Sequence, residues 1–302
     1  MNPLILETIP SLRRPVFILA FVGWNDAGEA ASSAIQFLSQ KMKAQKFASL
    51  DPEEFFNFAN LRPQVRFTPE GQREILWPTH DFWYVQEPNQ LRDVILGLGS
   101  EPHMRWRTYV QAILDLARQC HVSLLISLGA LLAEVVHSSP ISLTGTASDS
   151  DLAVRLRLTN SLYEGPTGIV GVLNDACRRE GLPSMSLWAN VPHYLQSVAN
   201  PKAKLALVRR VLMVLEWTMD LGELGEAATS FESRVSEAVA NDPQLAKYVR
   251  ELEEKEAETE SLPGQEELPS GEGLAEELES FFRQQREQKE KKEDDENNEA
   301  ET

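Results

Sequence analysis

Five residues able to exchange protons stand just beyond short apolar runs of the sequence. They are Asp26 after run 16–22, Glu101 after 94–98, Glu134 and His137 after 122–128, and His193 after 185–189. Asn25, Trp106 and Asn190 accompany them. In open α/β sheets ligands sit outside the carboxyl ends of the strands, so parallel strands would gather these eight residues on one rim. Carboxylates and imidazoles gathered in that way do general acid–base chemistry or hold a metal ion. Each residue also has a structural reading, because Asp and His at strand ends cap helices and form turns. Asp26, followed by Ala27-Gly28-Glu29, fits an N-cap whose Glu29 completes a capping box.

Motifs that would name a reaction are missing. The sequence holds no GxxxxGK[ST], no GxGxxG after a strand, no GxSxG and no HExxH. Cys120 and Cys177 are its two cysteines, each in an apolar helical stretch, with no CxxC or Cys/His zinc spacing. They read as buried thiols of a protein in a reducing compartment, the cytoplasm, and no metal or cofactor is expected. Gly165-Pro166-Thr167-Gly168 precedes a helical pattern, where free amides can hold an anion. Lacking a lysine, the segment reads first as a tight turn.

Charge narrows the partners. Of 46 acidic and 29 basic residues, 20 and 6 lie in 251–302, which leaves 26 and 23 in the first 250. A nearly neutral body thus precedes an acidic tail. Clustered Lys/Arg for neutralising phosphate is absent, which argues against nucleic acid and against anionic membrane. Arg13-Arg14 before run 16–22 mimics a twin-arginine signal. The run has seven residues and leads into Gly23-Trp24-Asn25-Asp26 rather than a cleavage site, so it reads as a buried first strand. No run approaches the roughly 20 apolar residues of a membrane span.

The elements that must position the eight residues alternate in type. Strands are predicted at 16–22, 65–67, 74–77, 82–85, 94–98 (closed by Gly99), 122–128 (ended by Gly129), 141–147 and 185–189. Helices are predicted at 26–43, 105–120, 168–179 and 201–221, the last opened by a favourable Pro201. This order predicts an α/β fold, a central mostly parallel sheet flanked by helices, with block 62–98 as a hairpin insertion. Leu205, Val208, Leu212, Leu215 and Met219 form a stripe that suits a core or an oligomer seam. The domains expected are an α/β body over 1–225, a helical extension over 226–258, and an acidic flexible tail over 259–302. Within the tail, Leu274, Leu278, Phe281 and Phe282 mark a short amphipathic helix near 274–286, and 287–302 is too polar to fold alone.

The assembled segments resemble one family. Gly23-Trp24-Asn25-Asp26-Ala27-Gly28, Asp51-Pro52-Glu53-Glu54-Phe55-Phe56, Arg62-Pro63, Trp77-Pro78, and Glu101-Pro102 with Arg105-Trp106-Arg107 come first. Leu128-Gly129-Ala130-Leu131-Leu132-Ala133-Glu134-Val135 with His137, Tyr163-Glu164-Gly165-Pro166-Thr167-Gly168-Ile169, and Leu187-Trp188-Ala189 with Val191-Pro192-His193-Tyr194 follow in order. Together they resemble the proteasome assembly chaperone 2-type family over about residues 5–222, and the C-terminal addition is similar to extensions on actinobacterial members. The resemblance implies a phosphorylase/hydrolase-like fold, self-association as a ring-like homo-oligomer, a homotrimer, and proteasome-related protein partners. Some relatives dock through a C-terminal hydrophobic–Tyr–any tripeptide, whereas this sequence reads Ala300-Glu301-Thr302. No catalytic residue is carried over. Two functions follow as expectations: a protein-binding, assembly-chaperone-like scaffold, with no enzyme activity, or a small-molecule-binding protein or hydrolase using the rim.

Overall fold

The structure is a computed structural model, and it describes residues 3–148 and 165–260. Two compact units make up the chain: Met1–Asn160 with Thr167–Ala257, and Ser161–Pro166 with Glu258–Thr302. The sheet and every candidate site residue belong to the first. The short helix predicted near 274–286 lies outside the described residues.

Among the described residues, ten strands form one sheet of eight and one ribbon of two. They are β1 (Leu4–Leu6), β2 (Val16–Val22), β3 (Gln45–Leu50), β4 (Gln64–Phe67), β5 (Arg73–Leu76), β6 (His80–Val85), β7 (Val94–Ser100), β8 (Leu124–Ala133), β9 (Leu143–Ala147) and β10 (Ser184–Pro192). The helices are α1 (Ala30–Lys41), α2 (Trp106–Gln119), α3 (Ile169–Glu180), α4 (Pro201–Leu215), α5 (Gly222–Asn241) and α6 (Pro243–Glu260). Sheet order is β1-β3-β6-β7-β2-β8-β10-β9. The four central strands, β7, β2, β8 and β10, run parallel, and antiparallel strands flank them on both sides. The mostly parallel α/β sheet expected from the apolar runs is therefore present.

β2 shows why the centre is rigid. Its side chains alternate between two cores, as the period of a strand requires. Val16, Ile18 and Ala20 pack under α1 and α4, while Phe17, Leu19 and Phe21 pack under α2 and α3. Burial on both faces accounts for the uninterrupted apolar runs. At the foot of β2, Arg13 Nη2 meets the buried Asp93 Oδ1 at 2.7 Å. That ion pair gives the first residue of the Arg13-Arg14 pair a structural role.

Four sequence expectations change. Gly99 and Gly129 do not end their strands: β7 continues to Ser100 and β8 to Ala133. The glycines instead make room for rings lying across the sheet. A Cβ on Gly99 would sit 2.6 Å from His80 Cβ, and one on Gly129 would sit 2.4 Å from Trp188 Cε3. Block 62–98 is not one insertion. Only β4 and β5 form a separate ribbon, whereas β6 pairs with both β3 and β7 inside the main sheet. The polar β3 and three-residue β1 lacked an apolar run and were not predicted. The last helix of the body, α4, ends at Leu215 rather than 221, closed by Glu216 in the left-handed region.

Gly129→Ala is expected to destabilise the protein by about 1–3 kcal/mol, the usual range for overpacking a filled interior. Urea denaturation of the variant measures it. A smaller residue opposite, Trp188→Leu, should recover part of the loss in the double variant.

Candidate functional site

The carboxyl ends of the parallel strands carry two separate polar groups. The first lies beyond β2 and β7. After β2 the chain turns at Gly23, whose φ of +132° favours glycine, and Ala130 N donates to Asn25 O at 2.8 Å, which stitches this turn to β8. Glu101 Oε1 then accepts two hydrogen bonds, from Asn25 Nδ2 at 2.9 Å and from Ile169 N at 2.8 Å. The second donor is the first amide of α3, so Glu101 caps a helix that begins 68 residues later. Gly168 is required where these groups meet. A Cβ there would stand 2.4 Å from Asn25 Oδ1, 3.0 Å from Glu101 Oε1 and 3.1 Å from Trp24 Cε3.

Asp26 Oδ1 accepts Ala31 N at 2.8 Å and Ser32 N at 3.1 Å. Asp26 is a cap, but not through the expected capping box. Gly28 and Glu29 both adopt left-handed backbone, inserting a 3-10 turn between Asp26 and α1. Burial pushes the Asp26 carboxyl above its ordinary range, against the lowering effect of its hydrogen bonds from Ser32 and Ala31. Trp106 Nε1 donates to Pro102 O at 2.6 Å, closing the loop between β7 and α2.

The second group lies beyond β8 and β10. His137 Nδ1 is 2.9 Å from Tyr194 Oη and its Nε2 is 3.0 Å from Ser236 Oγ. His137 N also donates to Tyr194 Oη at 2.8 Å, and Ser236 Oγ donates to Glu232 O at 3.0 Å. With the serine proton on the Glu232 carbonyl, Ser236 Oγ accepts from Nε2–H and Nδ1 accepts from the tyrosine. In either tautomer His137 ties the β8–β9 connection to α5. Lys202 reinforces the tie by donating to His137 O at 2.6 Å and pairing with Glu232. Glu134 pairs with Lys255 at 3.1 Å. Asn190 Nδ2 donates to Ser142 Oγ at 2.8 Å, and His193 opens the 3-10 turn His193–Leu195.

Thus Asn25, Asp26, Glu101 and Trp106 stand at one part of the rim, and Glu134, His137, Asn190 and His193 at another. Among the described residues, no group of three His, Cys, Asp or Glu side chains could hold a metal ion. Cys120 and Cys177 are buried and unpaired, and burial raises them to about 11 and about 12, away from thiolate chemistry. A depression of about 320 Å³ lies at the opposite sheet end, lined by Arg118, His121 and Glu180 among others, and takes in none of the eight rim residues.

Sequence reasoning missed one polar pair under the rim. His80 is fully buried, stacked on Phe82 with ring centroids 4.7 Å apart, and its Nδ1 is 2.7 Å from Tyr109 Oη. The alternation Gly97-x-Gly99 was the available signal, since two glycines on one face of a strand leave a trough for a neighbouring ring. Burial drives His80 down to about 3 and Tyr109 well above its ordinary value.

Comparison with known proteins now gives the lineage. The PAC2 family model matches residues 20–239. The chain belongs to the PAC2 family. A PAC2 family protein from Streptomyces avermitilis is 43% identical, with a TM-score of 0.73, covering 78% of this chain and 99% of that one. A Mycobacterium tuberculosis protein described as a proteasome-assembly chaperone homologue is 39% identical, with a TM-score of 0.71 and the same coverage of 78% and 99%. A Pyrococcus furiosus protein described as an archaeal proteasome activator shares the fold at 19% identity, with a TM-score of 0.64 over 79% of this chain and 99% of that one. No curated protein sequence matches. No helix among the described residues of this PAC2 protein is long and apolar enough to cross a membrane.

Two measurements test these assignments. Glu101→Ala should cost about 2–4 kcal/mol, because α3 loses its cap and Asn25 Nδ2 is left buried without an acceptor. Glu101→Gln keeps the acceptor and should stay within about 1 kcal/mol; urea denaturation of both reads the difference, and a fully stable alanine variant would refute the capping role. His80 titrates near 3 when folded and near its ordinary 6.5 when unfolded. Its contribution is therefore complete above pH 6.5 and is lost as pH falls toward 3, at about 1.4 kcal/mol per pH unit. His80→Phe should flatten the acid limb of the stability profile by about that slope.

Proposed function

We propose that this PAC2 protein is a homo-oligomeric, protein-binding scaffold of the cytoplasm, a homotrimer, that acts on proteasome-related partners as an assembly chaperone. One observation carries the reading. The rim groups that resembled an active site serve as helix caps and interhelix ties, while large apolar side chains at the same sheet end face solvent. Unpaired buried thiols favour a reducing compartment. The mycobacterial proteasome-assembly chaperone homologue and the archaeal proteasome activator suggest the class of partner.

A second reading, a small-molecule-binding or hydrolase-type protein, draws on Asn25. Its Oδ1 is buried with no hydrogen-bond donor among the described residues, beside the exposed indole of Trp24.

Native mass spectrometry of the full chain, alone and with purified proteasome α-subunit rings or half-proteasomes, separates the two. The scaffold reading expects species heavier by whole subunits, three copies alone and a stable complex with the rings. A monomer carrying only a small-molecule mass increment, with no ring complex, overturns it in favour of the second.

A further inference from the structure

The β4–β5 ribbon carries an exposed apolar face. In its register Val65 faces Ile75 and Phe67 faces Arg73, while Arg66 faces Glu74 on the other side. Strand alternation puts Val65, Phe67, Ile75 and, one step on, Trp77 on a common face. These four are 47%, 71%, 55% and 48% exposed, and on the opposite face Gln64 and Arg66 are exposed while Glu74 and Leu76 are partly covered. The apolar face therefore points to water, and the Arg66–Glu74 ion pair on the other face is solvent-exposed as well. The four side chains offer several hundred Å² together, at the scale of about 300–600 Å² for the largest apolar patch on an ordinary monomer. A two-stranded ribbon is marginal in water without further cover. Its root is held by an edge-to-face contact of Trp77 with Phe58, ring centroids 5.0 Å apart.

The arm springs from the same end of the sheet as the rim, since β3 runs parallel to the central strands and leads into it, and β6 returns from it. At that end Val22 closes β2, Trp24 follows it and Met104 follows the adjacent β7, and the three are 43%, 56% and 46% exposed. Met104 N donates to Phe55 O, which places the exposed Glu53 of the same loop beside this patch, and Glu101 lies between Val22 and Met104 in the hydrogen-bonded turn. Arg73, on the apolar face of the arm, has no acidic partner among the described residues, because the neighbouring Arg66 takes Glu74.

We propose that the apolar face of the β4–β5 arm of one copy docks on the Val22–Trp24–Met104 patch of a second copy. The inference rests on the self-association in the proposed function and names its surfaces. Charge orders the contact: Arg73 enters a patch bordered by Glu53 and Glu101, where the exposed Arg105 is already paired with Glu54. Arm-on-arm pairing would instead bring two Arg73 guanidinium groups into one apolar seam, where like charges repel. Arm and patch are different surfaces, so the contact is head-to-tail and closes into a ring when the rotation permits.

Sedimentation velocity on the full chain tests it with two variants, Phe67→Asp/Ile75→Asp in the arm and Val22→Asp/Met104→Asp in the patch. All four side chains are exposed, so melting temperatures should stay within a few degrees of wild type and confirm folding. Wild type should sediment as an oligomer and each variant alone as a monomer. Mixed in equal amounts, the variants should form a dimer, because one retains an intact patch and the other an intact arm. If both variants remain oligomeric, the docking surfaces are wrong while self-association stands. If both are monomeric and their mixture does not dimerise, the head-to-tail contact is overturned. A wild type that is monomeric at tens of micromolar removes the self-association itself, and this inference with it.

Discussion

A single carboxylate oxygen joins three distant segments of the sheet end. Glu101 Oε1 follows β7, holds the Asn25 turn after β2, and accepts the first amide of α3. None of these segments could be placed by its own propensity. The turn at Gly23–Asp26 has no repeating hydrogen bonds, and α3 begins after a glycine whose backbone offers no side-chain cap. A helix start without a partner leaves orphan amides, and a charged acceptor at that point is favoured by both hydrogen bonding and the helix dipole. The requirement for glycine at 168 follows from the same meeting point, since any Cβ would collide with the Asn25 side chain. One interaction thus fixes the geometry of the rim, and it does so by using the carboxylate that most resembled a catalytic group.

The same economy appears on the other part of the rim. His137, Lys202, Tyr194 and Ser236 come from four separate elements, and their hydrogen bonds close on one another and on backbone carbonyls. A catalytic serine–histidine pair needs a hydroxyl proton directed at the imidazole, and here Glu232 O, at 3.0 Å, competes for that proton. What the network does supply is attachment. Val136 N and Ser139 Oγ both donate to the Glu256 carboxylate, so α6 joins α5 in covering the β8–β9 connection. Phe231, Val235, Val239, Val249 and Leu252 form a small core beneath these polar ties.

Much of the fold was legible because the central strands are buried on both faces. Val16–Val22 contains no polar residue and the run within β8 is interrupted by the buried Ser127 alone, and their order with the helices pointed to the parallel class. Edges were harder to read. β3 begins with Gln45 and Lys46, so it carries half a pattern, and β1 is too short to carry any. Glycine misled at 99 and 129 because its punctuating role and its space-giving role look identical in sequence; only the partner ring distinguishes them. Placement of the eight rim residues was readable from strand ends, but their partners were not. A backbone amide such as Ile169 N has no side-chain signature, and Ser236 lies 99 residues from the histidine it meets.

The hydrogen bonds and ion pairs of the rim residues have a consequence for what remains outside. Carboxylates and imidazoles committed to caps and ties are less available to orient a small polar substrate, because specificity in such sites comes from a few convergent polar groups. Apolar side chains in the same region act differently. They gain free energy with whatever surface removes them from water, and the gain grows with area rather than with exact placement. A protein surface supplies that area, and a small molecule does not. The ribbon sharpens the point: its Arg66–Glu74 pair is solvent-exposed, where an ion pair adds little, and Phe67 on the other face is left outward as well. An exposed apolar face of this kind gains free energy from any protein surface that covers it.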